Sequence, residues 1–279
     1  MTQTALSRTL THLSPAANGL GQVFAHPRAV AVVCVVALTG LGWAYLALTM
    51  AQTDFLDALC RPSFGLAVGH FADAFVILPM WMAMTLAMML PSAAPMIFTY
   101  AEIADTAARK GEHVISPFVL TAGYAAVWLG FALIATLMQL ALMRLALLDA
   151  SMRLASVLLS GAIFIGAGAY QFSSLKQACL RQCQSPFPFF FANWSTKTAG
   201  VFRLGLRQGL YCVGCCWASM LVMFAVGAMN ALWMAGIGIA MTVEKMTSGM
   251  RFSRIVGTAL IVAGGVLIVV SVAAHWPQA

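Results

Sequence analysis

The sequence predicts an all-α protein, a polytopic transmembrane helical bundle of about seven spans, and three observations predict it. Of 279 residues, 62% are hydrophobic and only 8% are charged, a balance that soluble domains of this length do not tolerate. Apolar runs recur near 29–50, 74–100, 117–142, 154–174, 208–228, 231–244 and 255–275. Basic residues also segregate between alternate loops. With the N-terminus inside, the inner loops hold Arg8, Arg28, Arg109, Lys110, Lys176, Arg181, Lys197, Arg203, Arg207, Lys245, Arg251 and Arg254, and the outer loops hold Arg61, Arg144 and Arg153. Twelve against three fixes the orientation under the positive-inside rule.

Residues 1–28 are polar and read as a cytoplasmic N-terminal segment, and 29–279 as one transmembrane helical domain. The run Ala29–Met50 exceeds the ~7–15-residue core of a cleavable signal and reads as a retained anchor. The second span carries Pro79, Pro91 and Pro95. Proline removes a backbone donor, so a break facing the bundle interior is expected between Pro91 and Pro95. The fourth span is expected to extend helically to Cys179 and Cys183, and Cys212, Cys215 and Cys216 to open the fifth. From Ala231 to Glu244 the sixth run is shorter than the ~20 residues a crossing needs, so it is tilted, broken or re-entrant. If it does not cross, the C-terminus moves from the outer to the inner side. The aromatic, proline-rich segment Pro186–Trp194 suits the inner interface. Gly236 and Ala240 form a small-x3-small pair that suits close helix packing.

Chemistry concentrates in sulfur. On a helix, Cys212, Cys216, Ser219, Met223, Gly227 and Asn230 fall on one narrow stripe. Cys179 and Cys183, four apart, share a face. A reducing cytoplasm disfavours disulfides, while basic Lys176, Arg181 and Arg207 favour the ligating thiolate. There are 18 methionines. In the second span they form two stripes, Met80/Met84/Met88 and Met82/Met89/Met96, of which one at most lines a single site. Met220, Met223, Met234 and Met241 add to them.

Thiolate with thioether points to Cu(I). The C-x3-C and C-x2-C pairs equally suit a structural zinc or an iron–sulfur cluster, and Cys and Met are also ordinary buried fillers. The candidate metal residues are Cys179, Cys183, Cys212, Cys215, Cys216, Met88, Met220, Met223 and Glu244. Glu244 is preferred over Asp73 and Glu102 because it falls on the cysteines' side, although with Lys245 it also reads as an interfacial anchor. Cys34 and Cys60 read as structural.

Other classes are disfavoured. His12, His26, His70, His113 and His275 all lie in tails, loops or at a span end, against a buried haem or di-iron site. There is no H-E-x-x-H and no Gly-Lys pair for a phosphate loop. The net charge of +7 reflects retained basic loops rather than nucleic-acid binding.

Three stretches together resemble a bacterial family of predicted metal-binding integral membrane proteins, a domain family of unassigned function. They are Met84-Thr-Leu-Ala-Met-Met-Leu-Pro-Ser92 with Pro95; Tyr170 through Leu175-Lys176 to Cys179-Leu180 and Cys183; and Gly209 through Cys215-Cys216-Trp217 to Gly227-Ala-Met229-Asn230, Trp233-Met234 and Glu244-Lys245. The likeness runs from about Trp81 to Lys245, and Gln184 stands where the family tends to carry a basic residue. It implies metal binding without naming the metal; with the loop charges, the expected location is a bacterial inner (cytoplasmic) membrane, multi-pass, with the N-terminus cytoplasmic.

The sequence therefore predicts a non-enzymatic, metal-binding integral membrane protein handling Cu(I), in transport or in metalloenzyme assembly. Its partners would be the lipid bilayer, a metallochaperone or metalloenzyme subunit, or a second copy of itself. Two alternatives stand beside this reading. One is a membrane subunit whose structural zinc or iron–sulfur site docks a partner; the other is a thiol redox protein, an oxidoreductase or a redox sensor.

Overall fold

The computed structural model describes residues 27–59, 71–145, 147–148, 154–227, 230–247 and 249–275. Arg8, His12, His26, Cys60, Arg61, His70 and Arg153 lie outside them, as do all but the last two residues of the segment 1–28. The described residues form helices α1 (Pro27–Leu59), α2 (Phe71–Arg109), α3 (Pro117–Arg144), α4 (Val157–Tyr170), α5 (Ser174–Gln184), α6 (Pro186–Ala192), α7 (Thr198–Val226), α8 (Ala231–Met246) and α9 (Arg251–His275). Their one β-type contact is an isolated bridge between Leu148 and Leu154.

Five helices (α1, α2, α3, α7 and α9) are long and apolar enough to cross a membrane; α4 and α5, bent by 63°, make a sixth if taken as one broken span. The expected seven is not reached, because α8 has only 16 residues. At 1.5 Å per residue it extends roughly 24 Å, short of a ~30 Å hydrocarbon core. Helical continuity from the fourth run to Cys183 is also corrected. Ser173 caps a new helix by accepting from the Lys176 N–H, so α5 sets off in its own direction.

The prolines of α2 do not break it: the helix runs unbroken through Pro79, Pro91 and Pro95. Pro91 supplies no N–H to the Ala87 carbonyl four residues earlier, and the Trp43 indole of α1 donates to that carbonyl at 3.2 Å. Ser92 and Thr99 donate back to Met89 O and Pro95 O. Of the carbonyls that proline strands, that of Ala87 is thus met by a side chain, one way such helices persist in apolar surroundings.

α2 is central, packed against α1, α3, α6 and α8, while α7 packs on α3, α4 and α5. Glycine sets the closest approaches. A Cβ on Gly123 of α3 would collide with the Phe202 carbonyl of α7, and one on Gly205 with the Leu120 carbonyl of α3. Antiparallel α4 and α9 meet through Gly161 against Gly264 and Gly168 against Gly257. The predicted pair at Gly236 plays no such part, since a Cβ there would meet nothing within 4 Å.

Candidate metal centre

α7 starts at Thr198 rather than near 208, so Cys212, Cys215 and Cys216 sit midway along a 29-residue helix instead of at its mouth. Spacing on that helix turns all three inward, and they are 2%, 1% and 0% exposed. The stripe ends sooner than expected. Gly227 leaves the helix at φ +99°, and Asn230 instead caps α8, accepting from the N–H groups of Leu232 and Trp233.

α5 lies across this part of α7. Cys183 Sγ stands 4.0 Å from Cys215 Sγ, and Cys215 Sγ stands 3.3 Å from Cys216 Sγ. The Cys215 thiol also donates to the Cys212 carbonyl at 3.2 Å. Cys179 rests against Gly214, where a Cβ would come within 2.7 Å of its sulfur. All five cysteines of the two groups therefore gather at the α5–α7 contact. Cys179 and Cys183 are half-buried and the α7 trio is enclosed.

Two sulfurs sharing one ion at a metal–sulfur distance of ~2.3 Å stand roughly 3.8 Å apart in tetrahedral geometry and up to about 4.6 Å apart when linear. The Cys183–Cys215 separation lies between these limits. Among the described residues, no group of three or more His, Cys, Asp or Glu is already arranged to hold a metal ion. The arrangement is a close pair of sulfurs from two helices with further sulfur beside it, not a closed four-ligand cage.

The charges differ from those the sequence suggested. Lys176 and Lys245, counted there among inner-loop cations, are both buried, at 0% and 6% exposure. Lys176 Nζ donates to Glu244 Oε2 at 2.9 Å, so Glu244 is engaged with a cation rather than with sulfur. Arg207 donates to Asn193 Oδ1 and lies over the Phe189 ring. The cation at the sulfurs is Lys245, which donates to Cys212 Sγ at 2.9 Å and to Ser92 Oγ at 2.7 Å. Tyr124 OH completes this surround, 3.1 Å from Cys212 Sγ and 3.2 Å from Met89 O. The ammonium thus makes a charge-assisted hydrogen bond to the Cys212 sulfur.

Sequence reasoning missed Lys245, Ser92 and Tyr124 as one group. The available signals were a lysine closing the short sixth apolar run and the presence of Ser92 and Lys245 in the stretches that carry the family resemblance. The methionines are buried alongside: Met88, Met220 and Met223 are 1%, 1% and 0% exposed, and Met234 and Met241 line the same core. Met84, Met88, Met89 and Met96 are also buried, because α2 is surrounded. Met80 is buried as well, so the Met80/Met84/Met88 stripe is wholly enclosed, whereas Met82 of the other stripe is half-buried. Gln184 ties the end of α5 to α8, donating to the carbonyls of Glu244 and Thr247 at 2.9 and 2.8 Å.

No curated protein sequence and no solved structure shows a match to the chain. A family model described as PpoB2, copper chaperone, matches residues 78–267, more than half of the chain, from α2 into α9.

Proposed function

We propose, from the premise that the chain belongs to the PpoB2 copper-chaperone family, that it is a membrane-embedded handler of Cu(I). It carries the ion as cargo on the cysteines shared by α5 and α7 and passes it to a protein partner. The observation that carries this reading is the 4.0 Å approach of Cys183 on α5 to Cys215 on α7. Two thiolates from separate helices, unsupported by a closed cage, suit an ion that accepts two-coordinate sulfur, and soft thiolates select Cu(I). A structural zinc calls for four enclosing ligands.

Exposure suggests an order of events. Cys183 and Cys179, half-buried, receive the ion; Cys215, in contact with both Cys183 and Cys216, bridges inward; Cys216 and Cys212 lie beyond it, Cys212 against Lys245. Met88, Met220 and Met223 form part of the thioether-rich wall around the core. Thioethers bind Cu(I) more weakly than thiolates and allow it to move on. Glu244 serves this site indirectly, holding Lys176 and α5 against α8. The domain spans the inner membrane with its N-terminus cytoplasmic, the orientation the loop charges favour; moving Lys176 and Lys245 to the interior removes two of the twelve inner cations and leaves the bias in place.

Elemental analysis of reduced, detergent-purified protein after Cu(I) loading and desalting tests the reading. Stoichiometric copper that is lost in Cys215→Ser plus Cys216→Ser and kept in Cys34→Ser supports it. Protein that retains no copper, or that retains equal copper without those two thiols, overturns it. Stoichiometric zinc in place of copper would transfer the site to the structural-zinc alternative.

A further inference from the structure

We infer that Lys245 is a specificity-determining residue of the sulfur centre, its buried ammonium setting that centre to accept a singly charged soft ion and to reject a doubly charged one. The inference rests on reading the centre as a metal site.

Lys245 is 6% exposed, and among the described residues its Nζ donates to Ser92 Oγ and Cys212 Sγ. Ser92 can receive it because its own hydroxyl proton is directed to Met89 O. Among the described residues no carboxylate answers the charge. Among the described residues Glu244 is the only buried acid, and its Oε2 is held by Lys176. Glu244 and Lys245 are neighbours in sequence, but a helix turns about 100° between them and sends them to different partners. Among the described residues, sulfur is therefore the counter-charge that Lys245 meets.

A buried charge with no counter-charge is strongly destabilising, so the centre is held near one compensating negative charge. At the inner end of the route, Cu(I) on the Cys212 thiolate and one further thiolate carries a net charge of −1, equal and opposite to the ammonium. A divalent ion on the same two thiolates is neutral and leaves Lys245 unanswered; it would need a third thiolate to restore the balance. The ammonium also repels any incoming cation in proportion to that cation's charge. At ~6 Å and an effective dielectric of ~20, the second unit of charge costs on the order of a hundredfold in affinity. Soft ligands alone separate Cu(I) from Zn(II) only incompletely, and a fixed positive charge separates them by valence.

The test uses full-length, reduced protein in detergent, titrated by competition with Ag(I) as a redox-stable monovalent probe and Cd(II) as a divalent one. In Lys245→Met the Ag(I):Cd(II) affinity ratio should fall at least ~tenfold, and Lys245→Arg, which keeps the charge, should hold it near the parental value. Should Lys245→Met not fold, Lys245→Met with Cys212→Ser is compared with Cys212→Ser alone, a pair that differs only in the ammonium; the same fall is expected. An unchanged ratio in the folded variant, or between those two, overturns the inference. Parental protein that binds neither ion overturns the metal reading itself, whereas binding of both with a ratio indifferent to position 245 overturns only the role of the lysine.

Discussion

The indole N–H of Trp43 donates to the carbonyl oxygen of Ala87, the backbone acceptor that Pro91 strands four residues later. A first-helix side chain thereby completes the hydrogen bonding of the central helix. Trp43→Phe should lower stability by about 1–2 kcal/mol, the cost of an orphaned buried acceptor. In a Pro91→Ala background, where the helix supplies its own N–H, the same change should cost less. Thermal unfolding of the four proteins in detergent measures the coupling, and equal costs in both backgrounds would remove this assignment.

Lys176 and Glu244 form an ion pair with side-chain exposures of 1% and 5%. Either Lys176→Met or Glu244→Gln should destabilise by roughly 3–5 kcal/mol, since each leaves one buried charge alone. The double variant should recover most of that loss. Resistance to a protease added to the detergent-solubilised protein reads the effect, and additive losses would mean the two residues act independently.

Cysteine reactivity should follow burial. A mass-tagged maleimide should modify Cys183 and Cys179 in the folded protein well before Cys212, Cys215 and Cys216, which are nearly inaccessible. Prior loading with Ag(I) should slow modification of Cys183 if it shares an ion with Cys215. Peptide mapping resolves each thiol, and early labelling of Cys216 would contradict the packing described.

Gly205→Ala places a methyl group against the Leu120 carbonyl, whereas Gly236→Ala adds it to open space. The first should cost at least ~1–3 kcal/mol through forced separation of α3 and α7. The second should be neutral or slightly stabilising, because alanine favours the helix. Unfolding midpoints compare them directly, and similar effects would refute the close approach.

Hydropathy made the long spans legible, because apolar length is a property of sequence alone. It placed α1, α2, α3 and α9 near their observed positions and marked the sixth run as too short, as the 16 residues of α8 bear out. The start of α7 was misplaced because Arg203, Arg207 and Gln208 look like loop residues. In the fold Gln208 is buried and Arg207 lies over an aromatic ring. The bend before α5 hung on one serine cap, a signal too local for hydropathy to register. The sulfur residues stood out by type and spacing. Their neighbours did not, since Lys245 and Ser92 meet across 153 positions of chain and only the packing of α8 on α2 joins them. Glycines seven apart in α4 and α9 carried the packing code, and a search confined to four-residue spacing passes over them.

The main-chain contact of α3 with α7 at Gly123 and Gly205 also distributes evolutionary freedom unevenly. Tyr124 and Cys212 project from those two helices, so the gap between phenol and sulfur is set by backbones touching backbones. Outward residues such as Val266 and Val269 of α9 can drift among apolar types with little consequence. A single added carbon at position 205 would instead move the floor on which the sulfurs rest, so divergence within this lineage should erode the rim long before it reaches that seam.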